Sequence, residues 1–211
     1  MLPRLETLEP GRREAILNAA LKEFATKGYD EASTNVIAKA SGISKALMFH
    51  YVQSKKDLFL FLYDYCTDRM NREYLPFMNF REPDLLERLR QSYFLQLELL
   101  HKHPWIFEFI DRSAHTKSDE IRRELELRTA GKPLICEETM FGHVDESKFK
   151  DGLDVKRCKQ LVYWANIGFT NQILEEIRNS EIPNLDYDHI RTELDGYLNE
   201  LRKAFYKEEW T

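Results

Sequence analysis

Long apolar runs are absent from this sequence of 211 residues. No stretch approaches the ~18 apolar residues that a membrane-spanning helix requires, and the amino terminus lacks the basic-then-apolar layout of a secretion signal. A soluble, cytoplasmic protein with no membrane partner is the expectation. Cysteine is scarce: Cys66, Cys136 and Cys158 are odd in number and far apart, which fits reduced thiols better than a disulfide framework. Period-2 alternation and hairpin turns are also missing, so strands are not expected.

Catalytic signatures are lacking as well. The sequence holds no Gly-rich phosphate loop, no G-x-S-x-G and no H-E-x-x-H. His101-x-His103 looks like a chelating pair, but two positions apart on a helix lie ~200° around its axis, whereas a single-face metal site uses i, i+3 or i+4. Cys136 and Cys158 could sense oxidants, yet no low-pKa setting can be read for either, and buried structural thiols are the better reading. No enzyme activity, cofactor or metal is expected.

What is present points to helices. A hydrophobic content of 43% is enough for a substantial core, and the length allows a small module beside a larger one. Pro10 can start a helix whose Leu17, Ala20, Leu21 and Phe24 recur at i, i+3, i+4, i+7 until Lys27-Gly28 closes it, after a short ragged leader. Ser33 and Thr34 can cap a second, short helix that breaks at Ser41-Gly42, and Ser44 can cap a third. Two short helices joined by a glycine turn form a helix-turn-helix, whose second helix enters the major groove with its N-terminal residues leading. If Leu47, Met48 and Tyr51 or Val52 face the core, then Lys45, Ala46, Phe49 and His50 face outward; the alternative is that Phe49 and Tyr51 are ordinary core aromatics. Charge favours the first reading. Residues 1–57 hold nine Lys/Arg against seven Asp/Glu, leaving 22 against 29 for the rest, and Lys39 to Lys56 contains four lysines and no acid.

The stretch TKGYDEASTNVIAKASGISKALMFHYVQSKKDLF, ending at Phe59, resembles the DNA-binding segment of the tetracycline-repressor (TetR) family of bacterial transcriptional regulators. Gly-aromatic, paired Ser/Thr, Ile-Ala, Ser-Gly-Ile-Ser, the aromatic-histidine run and the Lys-rich start of the next helix all stand in register. The resemblance implies that Ser33 and Thr34 touch a backbone phosphate and that Ser44, Lys45 and Ala46 open the recognition helix. It places Phe49, His50 and Tyr51 at contacting and anchoring positions, and Lys55 on phosphate at the start of helix four. Many members have Gly at the position of Ala46 and Tyr at that of Phe49. Without a hydroxyl, Phe49 cannot donate to phosphate and can instead meet a thymine methyl or a sugar. Ser54-Lys-Lys-Asp57 forms a capping box for a helix to about Leu75, which in this family transmits ligand binding to the reading heads.

The expected fold is all-α: an N-terminal three-helix helix-turn-helix DNA-binding domain, residues 1–54, and a larger C-terminal helical ligand-binding and dimerisation domain, residues 55–211, with helix 55–75 connecting the two. Helices are expected from Leu85 to His101, from Pro104 onward, within 118–142 with a division at Gly131 and Pro133, from Asp154 to about Ile182, and after Asp186. The helix 154–182 is apolar all round and must be covered on every side, whereas the last carries one narrow stripe. Such a pair suits a homodimer built as a four-helix bundle, through Leu161, Phe169, Ile173, Ile190, Leu194, Leu198, Leu201 and Phe205; a helix buried inside a monomer is the alternative. By resemblance, a small-molecule effector enters a cavity between the helices. Tyr63, Cys66, Met70, Phe94, Trp105, Phe109, Phe141 and Trp164 are the candidate lining, and they suggest a hydrophobic or planar ligand. The functional expectation is a homodimeric repressor on a palindromic double-stranded operator. The competing class is a helical protein-binding module, or a DNA-binding protein without an effector.

Overall fold

The computed structural model describes residues 3–130, 137–179 and 186–208. These residues form α1 (Pro3–Glu6), α2 (Pro10–Glu31), α3 (Thr34–Ala40), α4 (Lys45–Val52), α5 (Lys55–Glu73), α6 (Leu85–Lys102), α7 (Ile106–Ala114), α8 (Asp119–Thr129), α9 (Glu137–Phe141), α10 (Val155–Asn179) and α11 (Tyr187–Phe205). No strand occurs among the described residues, where Phe149 and Tyr206 make an isolated bridge. The fold is all-α, as the absence of period-2 patterning implied. Cys136, Gly131, Pro133 and the expected helix end near Ile182 lie outside the described residues.

The chain divides into two compact units. The first comprises Met1–Pro76 with Leu99–Leu134, the second Phe77–Glu98 with Ile135–Thr211. In the first unit α2 packs chiefly on α7 and α3, and α4 on α1, α3 and α5. The apolar stripe of α2, with Ile16 and Ala25 added to the expected positions, is buried, as are Ile37, Met48, Val52, Leu58, Leu62 and Ile106 of the same unit. At its centre three rings interlock: Phe24 lies 5.1 Å from Phe59 and 6.3 Å from Phe109, and Phe59 lies 5.2 Å from Phe109. Edge-to-face rings at these separations add to the burial term.

Three local features depart from the periodic reading. Gly28, at φ 70, interrupts α2 as expected, but the chain then takes one further helical turn to Glu31, closed by the Ala32 N–H on the Gly28 carbonyl at 3.2 Å. Glycine alone adopts that backbone without penalty. The leader forms α1, which buries Leu5 completely and packs on α4, while Arg4 Nη1 donates to the His50 carbonyl at 3.3 Å. One leucine gives too short a pattern to register as a helical period. Finally, α7 begins at Ile106 rather than Pro104, because Trp105 takes the left-handed conformation at φ 76.

The second unit is held by buried polar groups as well as apolar ones. Asp84 accepts from the Leu86 and Glu87 N–H groups and the Tyr206 hydroxyl on one oxygen, and from Lys148 Nζ and Arg202 Nη1 on the other. Arg88, fully buried, donates to the carbonyls of Glu82, Met140, Gly142 and His143. Both side chains tie the start of α6 to the 140–149 segment, and Asp84 adds the end of α11. On α10, Cys158, Val162, Phe169 and Ile173 are buried, and on α11 Ile190, Leu194 and Leu198.

Candidate nucleic-acid interface

The first unit builds a helix-turn-helix from short-range rules. Ser33 occupies the cap position of α3, where its backbone N–H is held by Glu23 Oε1 at 2.9 Å and its hydroxyl makes no capping bond. α3 ends at Ser41, whose hydroxyl turns back to the Ile37 carbonyl at 2.7 Å, and Gly42 at φ 70 reverses the chain. Ser44 then caps α4 by accepting from the Leu47 N–H at 3.2 Å. The next helix starts two residues after α4: Ser54 accepts from the Asp57 N–H at 3.0 Å and its hydroxyl donates to the Asp57 carboxylate. The expected caps at Ser44 and Ser54 are formed, whereas Ser33, also expected to cap, makes no side-chain capping bond.

These caps fix which face of α4 looks outward. Met48 and Val52 are buried, Leu47, Phe49 and Tyr51 half-buried, and Ser44, Lys45, Ala46 and His50 exposed. Lys45 Nζ lies 5.9 Å from the Phe49 ring centre, and the His50 and Tyr51 rings meet edge to face at 5.4 Å. Ser33 and Thr34 are half-buried at the start of α3, followed by exposed Asn35 and by Val36, which is 49% exposed. Val36 is an exposed apolar side chain near the start of α3 that sequence reasoning passed over; its signal was an apolar residue off the stripe set by Ile37 and Ala38.

The basic footprint is smaller than the count of lysines. Lys39 and Lys45 are exposed and form no ion pair among the described residues. Lys55 lies 4.9 Å above the Tyr29 ring and donates to the Asp30 carbonyl at 3.3 Å; burial holds its ammonium below the usual lysine range. Lys56 is taken by Glu120 at 2.7 Å and Glu124 at 3.4 Å on α8. Asp30 also receives the Lys117 N–H at 2.8 Å and the Thr116 hydroxyl at 3.2 Å, so the end of α2 is fastened to the α7–α8 turn.

The other expected sites are distributed as follows. Tyr63, Cys66, Trp105 and Phe109 are buried and Met70 half-buried in the first unit, whereas Phe94, Phe141 and Trp164 belong to the second. Phe94 lies between the Arg90 and Arg191 guanidiniums, at 4.4 and 5.5 Å, Phe141 is edge-on to Tyr163 at 5.4 Å, and Trp164 is 55% exposed. The second unit carries a groove of about 620 Å³, lined by residues that include Tyr93, Val162, Phe169, Leu194 and Tyr197. None of the eight candidate ligand residues lines it. Tyr93, which does, gives its hydroxyl to the Asn166 carbonyl at 2.7 Å and shares a hydrogen bond with Thr170 at 2.8 Å; burial raises its phenol to about 12.

Of the eight residues expected at a subunit interface, Phe169, Ile173, Ile190, Leu194 and Leu198 are buried by their own chain, Leu201 and Phe205 are half-buried, and Leu161 is 48% exposed. The apolar groups left in solvent on these two helices are Leu161, Trp164 and Ile167 on α10 and Tyr197 on α11. His103 meets the Tyr65 hydroxyl at 3.2 Å and Glu73 at 3.4 Å, and burial keeps its imidazole below the ordinary range. The Cys66 and Cys158 thiols are buried and raised by that burial.

Among the described residues, two short helices joined by the Gly42 turn, the second capped and outward-facing, form a helix-turn-helix. Residues 16–62 match the family model described as bacterial regulatory proteins, tetR family. The N-terminal part of the chain is thus similar to the DNA-binding segment of TetR-family transcriptional regulators. The chain is 24% identical over 155 residues to the fatty acid metabolism regulator protein of Bacillus subtilis (strain 168), covering 70% of this chain and 76% of that one. Among solved structures it is similar to a TetR family transcriptional regulator from Chloroflexus aurantiacus J-10-fl, at a TM-score of 0.63, 16% identity and 97% coverage of both chains. It is also similar to the ketosteroid transcriptional regulator KstR2 of Mycobacterium tuberculosis, at a TM-score of 0.62 and 18% identity, covering 96% of this chain and 98% of that one. These relatives are regulators rather than enzymes. No described helix is long and apolar enough to cross a membrane.

Proposed function

We propose that this protein is a homodimeric repressor that binds a palindromic operator and is released by an apolar small molecule. The observation that carries the reading is the two-sidedness of α4: Met48 and Val52 are interior while Ser44, Lys45, Ala46 and His50 stand in solvent at the leading end. Side chains so placed can enter a major groove, and the free hydroxyl of Ser33 with Thr34 and Lys55 can position the head on phosphates. Phe49 and Tyr51, half-buried, anchor the helix and offer one edge to the duplex.

The dimer reading is supported by the exposed Leu161, Trp164, Ile167 and Tyr197 and by the groove beside them, where Ala165, Gly168 and Ala204 permit close approach of another helix. A second copy presenting the same patch about a two-fold axis buries it on both sides. For the effector, support comes from the compound classes in the names of two similar regulators, a fatty acid metabolism regulator and a ketosteroid transcriptional regulator. Both names indicate largely apolar molecules, which match the aromatic and thiol residues Tyr63, Cys66, Trp105 and Phe109 as candidate lining.

Selection of a preferred duplex from a random pool, followed by gel-shift titration, tests the DNA reading. A palindromic site whose affinity falls with salt is expected; equal binding to every sequence would refute operator recognition. Mass spectrometry of small molecules that co-purify, followed by titration of acyl and sterol compounds into the operator complex, tests the effector. If no compound of these classes shifts the operator affinity, the sensor half of the reading fails.

A further inference from the structure

The reading face of α4 is poor in the groups that discriminate bases by hydrogen bonds. Its sequence, KALMFHYV, contains no Arg, Asn, Gln, Asp or Glu. Those side chains make the bidentate contacts to guanine and adenine and the acceptor contact to cytosine; Lys45 alone on this helix can serve guanine in the same manner. Of the exposed positions at and after the cap, Ser44, Lys45 and His50 are polar, and apolar groups stand among them. Ala46 is exposed in the first turn, Phe49 presents part of its ring one turn later, and Val36 on α3 is 49% exposed. Val36 lies on the opposite side of α3 from the buried Ile37, Ala38 and Ser41, as Ala46 lies away from Met48 and Val52. Exposed apolar side chains next to a polar reading surface need a partner that is itself apolar. In the major groove one such feature exists, the C5 methyl of thymine.

We propose that this protein selects its operator in good part through thymine methyl groups packed against Ala46, Phe49 and Val36, with Ser44, Lys45 and His50 as the hydrogen-bonding readers. Val36 thereby becomes a specificity-determining residue on the helix that precedes the recognition helix. The inference rests on the operator-binding reading above and narrows it to a half-site whose informative positions are thymines. It also accounts for Phe49, which has no hydroxyl to offer a phosphate: a ring edge over a methyl needs no hydrogen bond.

The test replaces thymine by deoxyuridine, one position at a time and symmetrically in both half-sites, in a duplex selected by the full-length protein. Deoxyuridine pairs identically and lacks the methyl alone. Loss of one buried methyl corresponds to about fourfold in affinity per contact, so symmetric substitution at a contacted position is expected to weaken binding about fifteenfold. Ala46→Gly and Val36→Ala should each remove the sensitivity at one position and leave it at others, a readout that misfolding would not produce. Three results decide the matter. Position-specific loss on deoxyuridine substitution, cancelled by one of these variants, supports the proposal. A protein that selects a defined operator yet binds its deoxyuridine version equally at every position overturns the proposal and leaves operator recognition standing. A protein with no preferred duplex at all removes both.

Discussion

Asp84 offers the sharpest quantitative test of how the second unit is held. Its carboxylate is buried, and burial alone would raise its pKa; the Lys148 ammonium at 2.9 Å and the Arg202 guanidinium at 3.0 Å, with the Glu87 N–H, outweigh burial and hold it at about 2. In the unfolded chain an aspartate titrates near 3.9. The folded pKa is depressed, so the stabilisation is complete above pH ~4 and is lost as pH falls through ~2; a gap of nearly two units corresponds to about 2 kcal/mol at neutral pH. Asp84→Asn keeps a carbonyl oxygen for the two amide donors that start α6 and removes the charge. We expect it to destabilise the second unit by about 2 kcal/mol at pH 7, and the gap between variant and native protein to shrink to roughly half by pH 3. Urea unfolding followed by far-UV circular dichroism, repeated at several pH values, measures both numbers. Equal midpoints at pH 7, or a gap that does not narrow on acidification, would refute the account of Asp84 as the electrostatic tie.

Further expectations concern the other surfaces. Phe109→Ala opens the three-ring centre of the first unit and should cost about 3–5 kcal/mol in thermal or urea unfolding, whereas Leu127→Ala, at an exposed position of α8, should change little. Trp164→Glu, at a side chain already in solvent, should leave the folded chain intact and convert the proposed dimer to a monomer by light scattering; an unchanged mass would remove Trp164 from the interface. Lys55→Ala should shallow the dependence of log affinity on log salt by about 0.9 per head, read by fluorescence anisotropy on the selected duplex, and an unaltered slope would delete that phosphate contact; Lys45→Ala should weaken binding to the selected duplex more than to random DNA.

The parts of the molecule legible in the sequence are those set by short-range chemistry. Ser44 and Ser54 announce two helix starts, Gly28 and Gly42 announce two positive-φ breaks, and the spacing of Leu17, Ala20, Leu21 and Phe24 identifies an inner face. Each of these rests on groups within a turn or two of one another. What was not legible depends on distant partners. The α11 stripe of Ile190, Leu194 and Leu198 has the same appearance whether it is buried by another subunit or by its own chain, and the structure buries it within the chain. Asp84 collects Lys148, Arg202 and Tyr206 from segments far along the sequence, so no local pattern marks it. The candidate ligand residues were chosen by type alone, and type does not determine which compact unit a side chain joins.

Charge connects these observations to how the heads approach DNA. Residues 1–57 carry a small positive excess, while the remainder, with 22 basic against 29 acidic residues, is negative and is repelled by a duplex. That asymmetry orients the molecule with the helix-turn-helix leading. Yet Lys56 spends its charge on Glu120 and Glu124, and Lys55 lies against Tyr29 and Asp30. Of the four lysines between Lys39 and Lys56, Lys39 and Lys45 are the exposed ones with no ion pair among the described residues. Two lysines per head give modest non-specific affinity, because each phosphate neutralised adds only one increment of counterion release. Base contacts must then supply a larger share of the binding, and on a helix without Arg, Asn or Gln apolar contacts stand beside the hydrogen bonds of Ser44, Lys45 and His50. A head with few free charges and a partly apolar reading face should discriminate operator from bulk DNA more by methyl packing than by ionic grip.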